Sequence, residues 1–193
     1  MSREQRFTRK TKETHIQGRI ELDGQGKSQI KTGIGFLDHM LDLFTFHGGF
    51  DLELTNQGDL HIDAHHSVED IALALGEAVN AALGDKAGIA RYATNFLPMD
   101  ECLVRTCLDI SGRPFHVFRG FFSTPQTGEL PTEMVSHFFK SFSDKAGITL
   151  HQEILYGSND HHRVEALFKG LGRALRDAVQ VTGTAVPSSK GVI

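Results

Sequence analysis

Tryptophan is absent from this 193-residue sequence, and cysteine occurs only twice, as Cys102 and Cys107. Two cysteines are too few for a disulfide framework, so we expect both to be reduced in a cytoplasmic protein. No run of 18 apolar residues is present, which excludes a membrane-spanning helix. No apolar run follows the polar segment Met1–Arg6, so a secretory signal is not expected. The net charge of -4 gives no basic surface for nucleic acid.

Histidine, in contrast, is abundant, with 11 copies in the chain. Imidazole is the commonest metal ligand in proteins, so this excess favours a metal site. Apolar residues make up 39% and charged residues 23% of the chain, which is typical of a globular protein. The chain is long enough to bury a core as one compact domain.

Four of the histidines lie in two matching clusters, one in each half of the chain. The first is Asp63–Asp70, with the sequence DAHHSVED, and the second is Asn159–Ala166, with the sequence NDHHRVEA. Each cluster has two adjacent histidines and a glutamate four residues after the first of them. Each also opens a segment with helical spacing of apolar residues. Two such clusters favour metal binding over the alternative of polar helix ends or packed core imidazoles.

The clusters belong to an internal repeat with a period of about ninety residues. Its matched pairs are Glu13 with Glu101, Gly24 with Gly112, His39 with His137, His65 with His161, Glu69 with Glu165 and Gly76 with Gly172. The repeat divides the domain into a first half-repeat, 1–92, and a second, 93–193, which carries the C-terminal tail. Two like halves imply a pseudo-twofold axis between them.

Each half is predicted to contain strand, strand, helix, strand and helix, from the periodicity of its apolar residues and from glycine and turn signals. The predicted strands are 14–22, 28–32, 50–54, 101–110, 115–118 and 147–151. The predicted helices run from 36 to the glycines at 48 and 49, from 63 or 64 to 84, from 133 to 144 and from 160 to 181, with a loop at 121–130. These elements must bury their apolar faces against each other, which predicts an α+β layered domain.

Helical geometry determines which cluster residues can bind the same ion. Residues four apart share a face and adjacent residues point about 100° apart, so His65 and Glu69 can bind one ion while His66 points elsewhere. The second cluster repeats this arrangement, and we expect each ion to take the second histidine of the other cluster. His39 and His137 would complete the two sets, in either combination. The expected ligands are His39, His65, His66, Glu69, His137, His161, His162 and Glu165.

Imidazole and carboxylate donors without thiolate favour Mn, Fe, Zn or Ni over Ca or Mg. Three aspartates, Asp63, Asp70 and Asp160, are candidates to accept a ring N–H from a ligand histidine. The other five histidines have no comparable partners and are expected to be ordinary residues: His15, His47, His61, His116 and His151.

The small, basic tail offers a possible phosphate contact. Ser188 and Lys190 are two residues apart, and a hydroxyl and an ammonium can both bond a phosphate oxygen. Tails of this composition are also commonly disordered. Arg91, Arg113 and Lys169 are further candidates, although each can equally be an ordinary surface charge.

At these motifs the sequence resembles the imidazoleglycerol-phosphate dehydratase family of histidine biosynthesis. The resemblance is carried by Gly35–Leu41, both clusters and Ser188–Gly191, and it covers nearly the whole chain. It implies a cytoplasmic hydro-lyase with two manganese ions in each active site. It also implies helices sandwiched between two mostly antiparallel four-stranded sheets. The implied assembly is a homo-oligomer of twenty-four subunits, with active sites between subunits.

The resemblance also implies roles for single residues. The acid/base carboxylate falls on Glu13, which contacts the substrate, and the metal ligands fall on the eight residues above, with Glu165 also counted as catalytic. The phosphate contacts fall on Arg91, Arg113, Lys169, Ser188 and Lys190. The implied reaction removes water from imidazole glycerol phosphate to give imidazole acetol phosphate. Two metal ions would stabilise the imidazolate form of the substrate ring while Glu13 transfers a proton.

Two other functions are compatible with histidine and glutamate ligands. A binuclear metallohydrolase acting on a phosphorylated small molecule would use the same residues to hold a bridging hydroxide, and would release phosphate from simple phosphoesters. A metal-storing helical bundle uses Glu-x-x-His motifs on four helices. Here the order is His-x-x-x-Glu and predicted strands separate the helices, which argues against the bundle.

Overall fold

The computed structural model describes residues 3–193, which form two four-stranded sheets, a short hairpin and four helices. The first sheet contains β1 (Glu4–Lys10), β2 (Thr14–Glu21), β3 (Ser28–Lys31) and β4 (Asp51–Gly58). The second contains β5 (Tyr92–Met99), β6 (Cys102–Asp109), β7 (Phe115–Arg119) and β10 (Thr149–Tyr156). The hairpin pairs β8 (Gln126–Thr127) with β9 (Leu130–Pro131). The helices are α1 (Gly35–Gly48), α2 (His65–Ala82), α3 (Glu133–Ala146) and α4 (Asp160–Ala178).

The two sheets share one topology, with strand orders β1-β2-β4-β3 and β5-β6-β10-β7. In each sheet the first two pairs of neighbours are antiparallel and the last pair is parallel. Helices α1 and α2 contact the first sheet, α3 and α4 contact the second, and the helices pair as α1 with α4 and α2 with α3. The predicted α+β sandwich of two pseudo-twofold-related half-repeats is therefore confirmed.

The matched glycines of the repeat lie where helices from different halves approach closely. A Cβ added at Gly76 of α2 would lie 3.0 Å from the backbone nitrogen of Ala146 in α3. A Cβ added at Gly172 of α4 would lie 2.5 Å from the carbonyl oxygen of Phe44 in α1. Both distances are shorter than a normal carbon contact, so a side chain would separate the helices. The matched glycines therefore allow each half to pack a helix closely against a helix of the other half.

The edges of both sheets differ from the prediction of three strands in each half. Each sheet has a fourth strand at its edge, β1 or β5. Strand β1 reads EQRFTRK and exposes every second residue, and β5 is also largely open to solvent. Edge strands commonly carry charges, and those of β1 hide its apolar alternation. The hairpin β8–β9 overlaps the predicted loop 121–130 and extends one residue beyond it, and α4 ends at Ala178 rather than at 181.

Phenylalanine provides the large core side chains that tryptophan does not. Phe168 of α4 packs against two phenylalanines of α3, with ring centroids 5.0 Å from Phe138 and 4.7 Å from Phe139. These tilted contacts join the two helices of the second half. Six phenylalanines are fully buried: Phe44, Phe50, Phe138, Phe139, Phe142 and Phe168. Among residues 3–193, no helix combines the length and apolar character that crossing a bilayer requires.

Candidate metal centres

Two groups of side chains bring two imidazoles and one carboxylate together between packed helices. The α2–α3 triad consists of His65 and Glu69 from α2 and His137 from α3. The α1–α4 triad consists of His161 and Glu165 from α4 and His39 from α1. In each triad the three donor atoms lie within 4.8 Å of one another. Each triad therefore contains residues from both half-repeats.

In the α2–α3 triad, Glu69 lies between two imidazoles. The Nε2 atom of His137 is 3.3 Å from Glu69 Oε1, and that of His65 is 3.8 Å from Glu69 Oε2. The two imidazole centroids are 4.8 Å apart. His137 Nε2 is buried and has no hydrogen-bond partner among residues 3–193. This buried nitrogen, beside the Glu69 carboxylate, is therefore placed to bind a metal cation.

The α1–α4 triad repeats this geometry. The Nε2 atoms of His39 and His161 lie 3.6 and 3.5 Å from the two oxygens of Glu165. Both imidazoles are nearly half exposed, whereas the Glu165 side chain is only 7% exposed. Lys169, one turn further along α4, lies 3.2 Å from Glu165 Oε1. Of the two combinations left open by the sequence, this proximity favours one, since His39 lies beside the second cluster and His137 beside the first.

Local capping bonds fix the first turns of the two cluster helices. The Asp63 carboxylate accepts the backbone N–H of His65 at 2.8 Å, and the Asn159 side chain accepts that of His161 at 2.9 Å. These bonds satisfy donors that a helix start leaves unpaired. They place each first histidine where the residue four positions later shares its face.

The donors fit a divalent transition metal. Each triad offers two imidazole nitrogens and one carboxylate, a set that suits Mn, Fe, Zn or Ni. A cation would take the lone pair of His137 Nε2 and would neutralise the buried Glu165 carboxylate. Three ligands also leave positions for a further ligand or for substrate.

The second histidine of each doublet lies outside both triads of its own chain. His66 Nδ1 is 2.9 Å from Asp59 Oδ2, and His162 Nδ1 is 2.7 Å from Glu101 Oε2. These hydrogen bonds raise the pKa of each histidine, and the His162 bond is the largest cause that lowers the pKa of Glu101 to about 2. In metal-binding histidines, one ring nitrogen typically bonds a carboxylate while the other binds the metal, and His66 and His162 have this first contact.

The prediction of Asp63, Asp70 and Asp160 as ring N–H acceptors is wrong. Within residues 3–193 the three bond elsewhere: Asp63 to the His65 backbone, Asp70 to Arg9 and Thr14, and Asp160 to Arg163 and the backbone at 123–124. Asp63 thus caps the start of α2, Asp70 ties α2 to β1 and β2, and Asp160 ties the start of α4 to the loop at 123–124. The acceptors are Asp59 and Glu101 instead. The sequence gives no signal for Asp59, whereas the repeat marks Glu101 as the mate of Glu13.

The matched glutamates Glu13 and Glu101 have different surroundings. Glu101 accepts the backbone N–H groups of Ser158 and Asn159 as well as the His162 ring. Glu13 is exposed, and its carboxylate makes no hydrogen bond or ion pair within residues 3–193. The Asp59 hydrogen bond is the largest cause that raises the pKa of His66, and the negative charge of Glu13 raises it further. One glutamate is therefore bound into the fold, while its mate remains free beside a histidine.

Four of the five predicted phosphate contacts lie on or beside the C-terminal tail. Arg91 donates from Nη1 to the carbonyl of Pro187 at 2.8 Å, which places it against the residues that precede Ser188. At the far end of the tail, a Cβ on Gly112 would lie 2.9 Å from the carbonyl carbon of Ile193. The tail therefore runs from Arg91 to the turn that carries Arg113. The group comprises Arg91, Arg113, Ser188 and Lys190.

Lys169 is separated from that group within the chain. It lies beside Glu165 near the start of α4, whereas the backbone N–H of Arg91 bonds Ala178 at the end of the same helix. Thirteen residues of helix between Glu165 and Ala178 correspond to about 20 Å. One chain alone does not bring all five residues to one phosphate.

Comparison with known proteins identifies the family. The family model described as imidazoleglycerol-phosphate dehydratase matches residues 32–175. The chain is 55% identical to the imidazoleglycerol-phosphate dehydratase of Xanthobacter autotrophicus, covering 97% of this chain and 96% of the relative. It is 53% identical to that of Azorhizobium caulinodans, covering 99% and 98%.

Solved structures agree in fold. The imidazoleglycerol-phosphate dehydratase of Staphylococcus aureus superposes with a TM-score of 0.84 at 40% identity, covering 93% of this chain and 99% of that one. The Pyrococcus furiosus enzyme gives a TM-score of 0.83 at 37% identity, covering 96% and 99%. The chain therefore belongs to the imidazoleglycerol-phosphate dehydratase family.

Proposed function

We propose that this protein is a hydro-lyase of histidine biosynthesis that converts imidazole glycerol phosphate to imidazole acetol phosphate. The observation that carries the proposal is the pair of equivalent triads, each with two imidazoles and a carboxylate between helices. Family membership supplies the reaction, and the triads supply residues suited to the metal dependence that it requires.

The two triads are proposed to hold two manganese ions for each active site. When bound, these ions supply Lewis-acid charge that favours loss of the ring N–H proton of the substrate. Glu69 and Glu165 provide the anionic ligand of each triad. The buried position of Glu165 and its contact with Lys169 keep that carboxylate fixed in the absence of substrate.

His66 and His162 are proposed to complete the triads of neighbouring copies. Neither joins a triad of its own chain, and each is held through Nδ1. The Nε2 atom of His162 lies 3.7 Å from the exposed Asp100 carboxylate, which a metal ion would displace. The protein would then act as a homo-oligomer, and the assembly of twenty-four subunits implied by the resemblance is part of this proposal. Separation of Lys169 from the Arg91 group supports a site shared between chains.

Glu13 is proposed to be the general acid/base, and it would work beside His66 in the shared site. Among residues 3–193 its carboxylate has no competing hydrogen bond, unlike that of its mate Glu101. General acid–base catalysis of this kind contributes about 10²–10⁴-fold to a rate. The phosphate of the substrate would bind Arg91, Arg113, Lys169, Ser188 and Lys190, which would hold the reacting carbon chain in place.

The half-repeats 1–92 and 93–193 are proposed to have arisen by duplication and to form one domain. The protein is proposed to act in the cytoplasm. Helix α1 packs on α4 and α2 on α3, and each triad draws on both halves. Neither half alone would therefore bind a metal ion at full affinity.

The decisive experiment is a dehydration assay on imidazole glycerol phosphate. Metal-free protein should be inactive and should regain activity when Mn²⁺ is added. The product should keep its phosphate, and simple phosphoesters should not be hydrolysed. Phosphate release without imidazole acetol phosphate would reject the dehydratase in favour of a metallohydrolase.

A further inference from the structure

Arg91 occupies an unusual position at the start of β5. Its backbone φ of 74° lies in the left-handed region that non-glycine residues rarely adopt, and the residue is 9% exposed. Its Nε and Nη2 atoms donate to the two oxygens of Asp109, at 2.8 and 3.3 Å. Its Nη1 donates to the carbonyl of Pro187 at 2.8 Å. The guanidinium is therefore fixed on two sides.

The repeat contains a second copy of this arrangement. Arg3, just before β1, donates from Nε and Nη2 to Asp23 and from Nη1 to the carbonyl of Val179. Its own carbonyl accepts from Leu22, just as that of Arg91 accepts from Ile110, each at 3.0 Å. The chain thus contains two arginine clamps built to the same pattern.

The two clamps differ in what they hold. The acceptor of Arg3 is at the end of α4, while the acceptor of Arg91 is the residue before Ser188. Arginine has five N–H donors, and the three bonds of Arg91 leave two of them for another acceptor. An anion bound there would meet both the guanidinium and the start of the Ser188–Lys190 segment.

The tail is already attached to the residues around Arg91. The backbone N–H of Gly88 bonds Ala185, that of Ala90 bonds Gln180, and that of Thr182 bonds Gly88. These bonds lead the chain to Pro187, where the Arg91 side chain provides the next contact. Asp109 therefore orients Arg91, and Arg91 in turn bonds the tail at Pro187.

We propose that Asp109 is a positioning residue for phosphate binding: it holds Arg91 so that one guanidinium binds the Pro187 carbonyl and the substrate phosphate together. The proposal rests on the proposed function, in which Arg91 contacts that phosphate. Asp109 itself does not touch the substrate. Its side chain is 20% exposed and its two oxygens are both used by Arg91.

The test compares Asp109→Asn with Asp23→Asn, the matched change in the other clamp, in the manganese-loaded full-length protein. Asparagine offers one acceptor and turns its amide N–H toward arginine, so the Asp109 variant releases Arg91. We expect its KM for imidazole glycerol phosphate and its dissociation constant for inorganic phosphate, measured by calorimetry, to rise about tenfold. The kcat should change by less than about twofold, and Asp23→Asn should leave all three constants within about twofold.

Trypsin provides a second readout, specific to the tail. Cleavage after Lys190 removes residues 191–193, and mass spectrometry detects the loss. Asp109→Asn should be cut faster than the wild type and Asp23→Asn should not. Asp109→Glu, which keeps the carboxylate, should bind phosphate more tightly than Asp109→Asn.

Unchanged phosphate binding and unchanged cleavage in Asp109→Asn would overturn the proposal, as would an equal loss in Asp23→Asn. If Asp109→Asn does not fold, Asp109→Ser is read by the same criteria, because serine also offers no carboxylate to Arg91. Calorimetry with inorganic phosphate tests the positioning role of Asp109 separately from the proposed dehydratase reaction. Weaker phosphate binding in a protein without dehydratase activity would reject the reaction but keep the positioning role.

Discussion

Replacement of Glu165 by glutamine should remove one of the two metal ions that each chain is proposed to bind. The Glu165 carboxylate lies 3.6 and 3.5 Å from the imidazole nitrogens of His39 and His161, so it is the only anionic donor of the α1–α4 triad. Glutamine keeps the size of the side chain but removes its charge. Metal content should fall from one ion for each triad to about one ion per chain.

The size of the effect on stability follows from binding linkage. When the free metal concentration is about 100 times the dissociation constant, binding of one ion stabilises the folded state by about 2.7 kcal/mol. For a chain of this length, 1 kcal/mol corresponds to about 2–4 °C in the unfolding midpoint, so one lost ion should cost about 5–10 °C. Glu165→Gln also removes the ion pair with Lys169, which acts on the metal-free protein too.

Metal analysis and thermal unfolding, each with and without a chelator, separate these contributions. The midpoint difference between wild type and Glu165→Gln should be large in manganese and small after chelation. Glu69→Gln, the matched change in the other triad, should likewise retain about one ion per chain. Two ions retained by Glu165→Gln would refute the assignment of this triad, and a midpoint difference that chelation leaves unchanged would show that only the ion pair mattered.

Three further changes test other parts of the structure. Glu13→Gln should keep metal and substrate binding but lose about 10²–10⁴-fold in kcat, and wild-type turnover would remove Glu13 from the mechanism. His66→Ala and His162→Ala should each lower the mass of the manganese-loaded assembly measured by light scattering, whereas an unchanged assembly would contradict ligand exchange between chains. Gly172→Ala should lower the free energy of unfolding by about 1–3 kcal/mol through the clash with Phe44, even though alanine favours helix by up to about 1 kcal/mol. Denaturant unfolding measures that change, and a more stable variant would show that α1 and α4 separate easily.

The elements that the sequence predicted well have one buried apolar face. The edge strands that it did not predict, β1 and β5, are largely exposed to solvent. Helices α2 and α4 were recognisable because their buried residues recur every three or four positions. Strand β1 has no such signal, because Phe7 is its only large apolar side chain and charged residues surround it. An edge strand is held mainly by backbone hydrogen bonds to β2, which every residue type can make.

The site shows a similar division between local and distant information. That His65 faces Glu69 while His66 points away follows from helix geometry, and the structure agrees. Which histidine from another helix approaches Glu69 depends on helix packing, and the sequence left His39 and His137 equivalent. Gly76 lies against α3 in the structure, but the sequence does not show which helix is its neighbour.

Close helix packing at Gly76 and Gly172 explains why each triad needs both halves. Gly76 lets α2 lie against the backbone of α3, which carries His137 to Glu69. Gly172 does the same for α4 and α1. One half-repeat contains imidazoles and a carboxylate, but on helices whose close partners belong to the other half. Duplication therefore provides two triads together, since the contact that builds one is the pseudo-twofold image of the contact that builds the other.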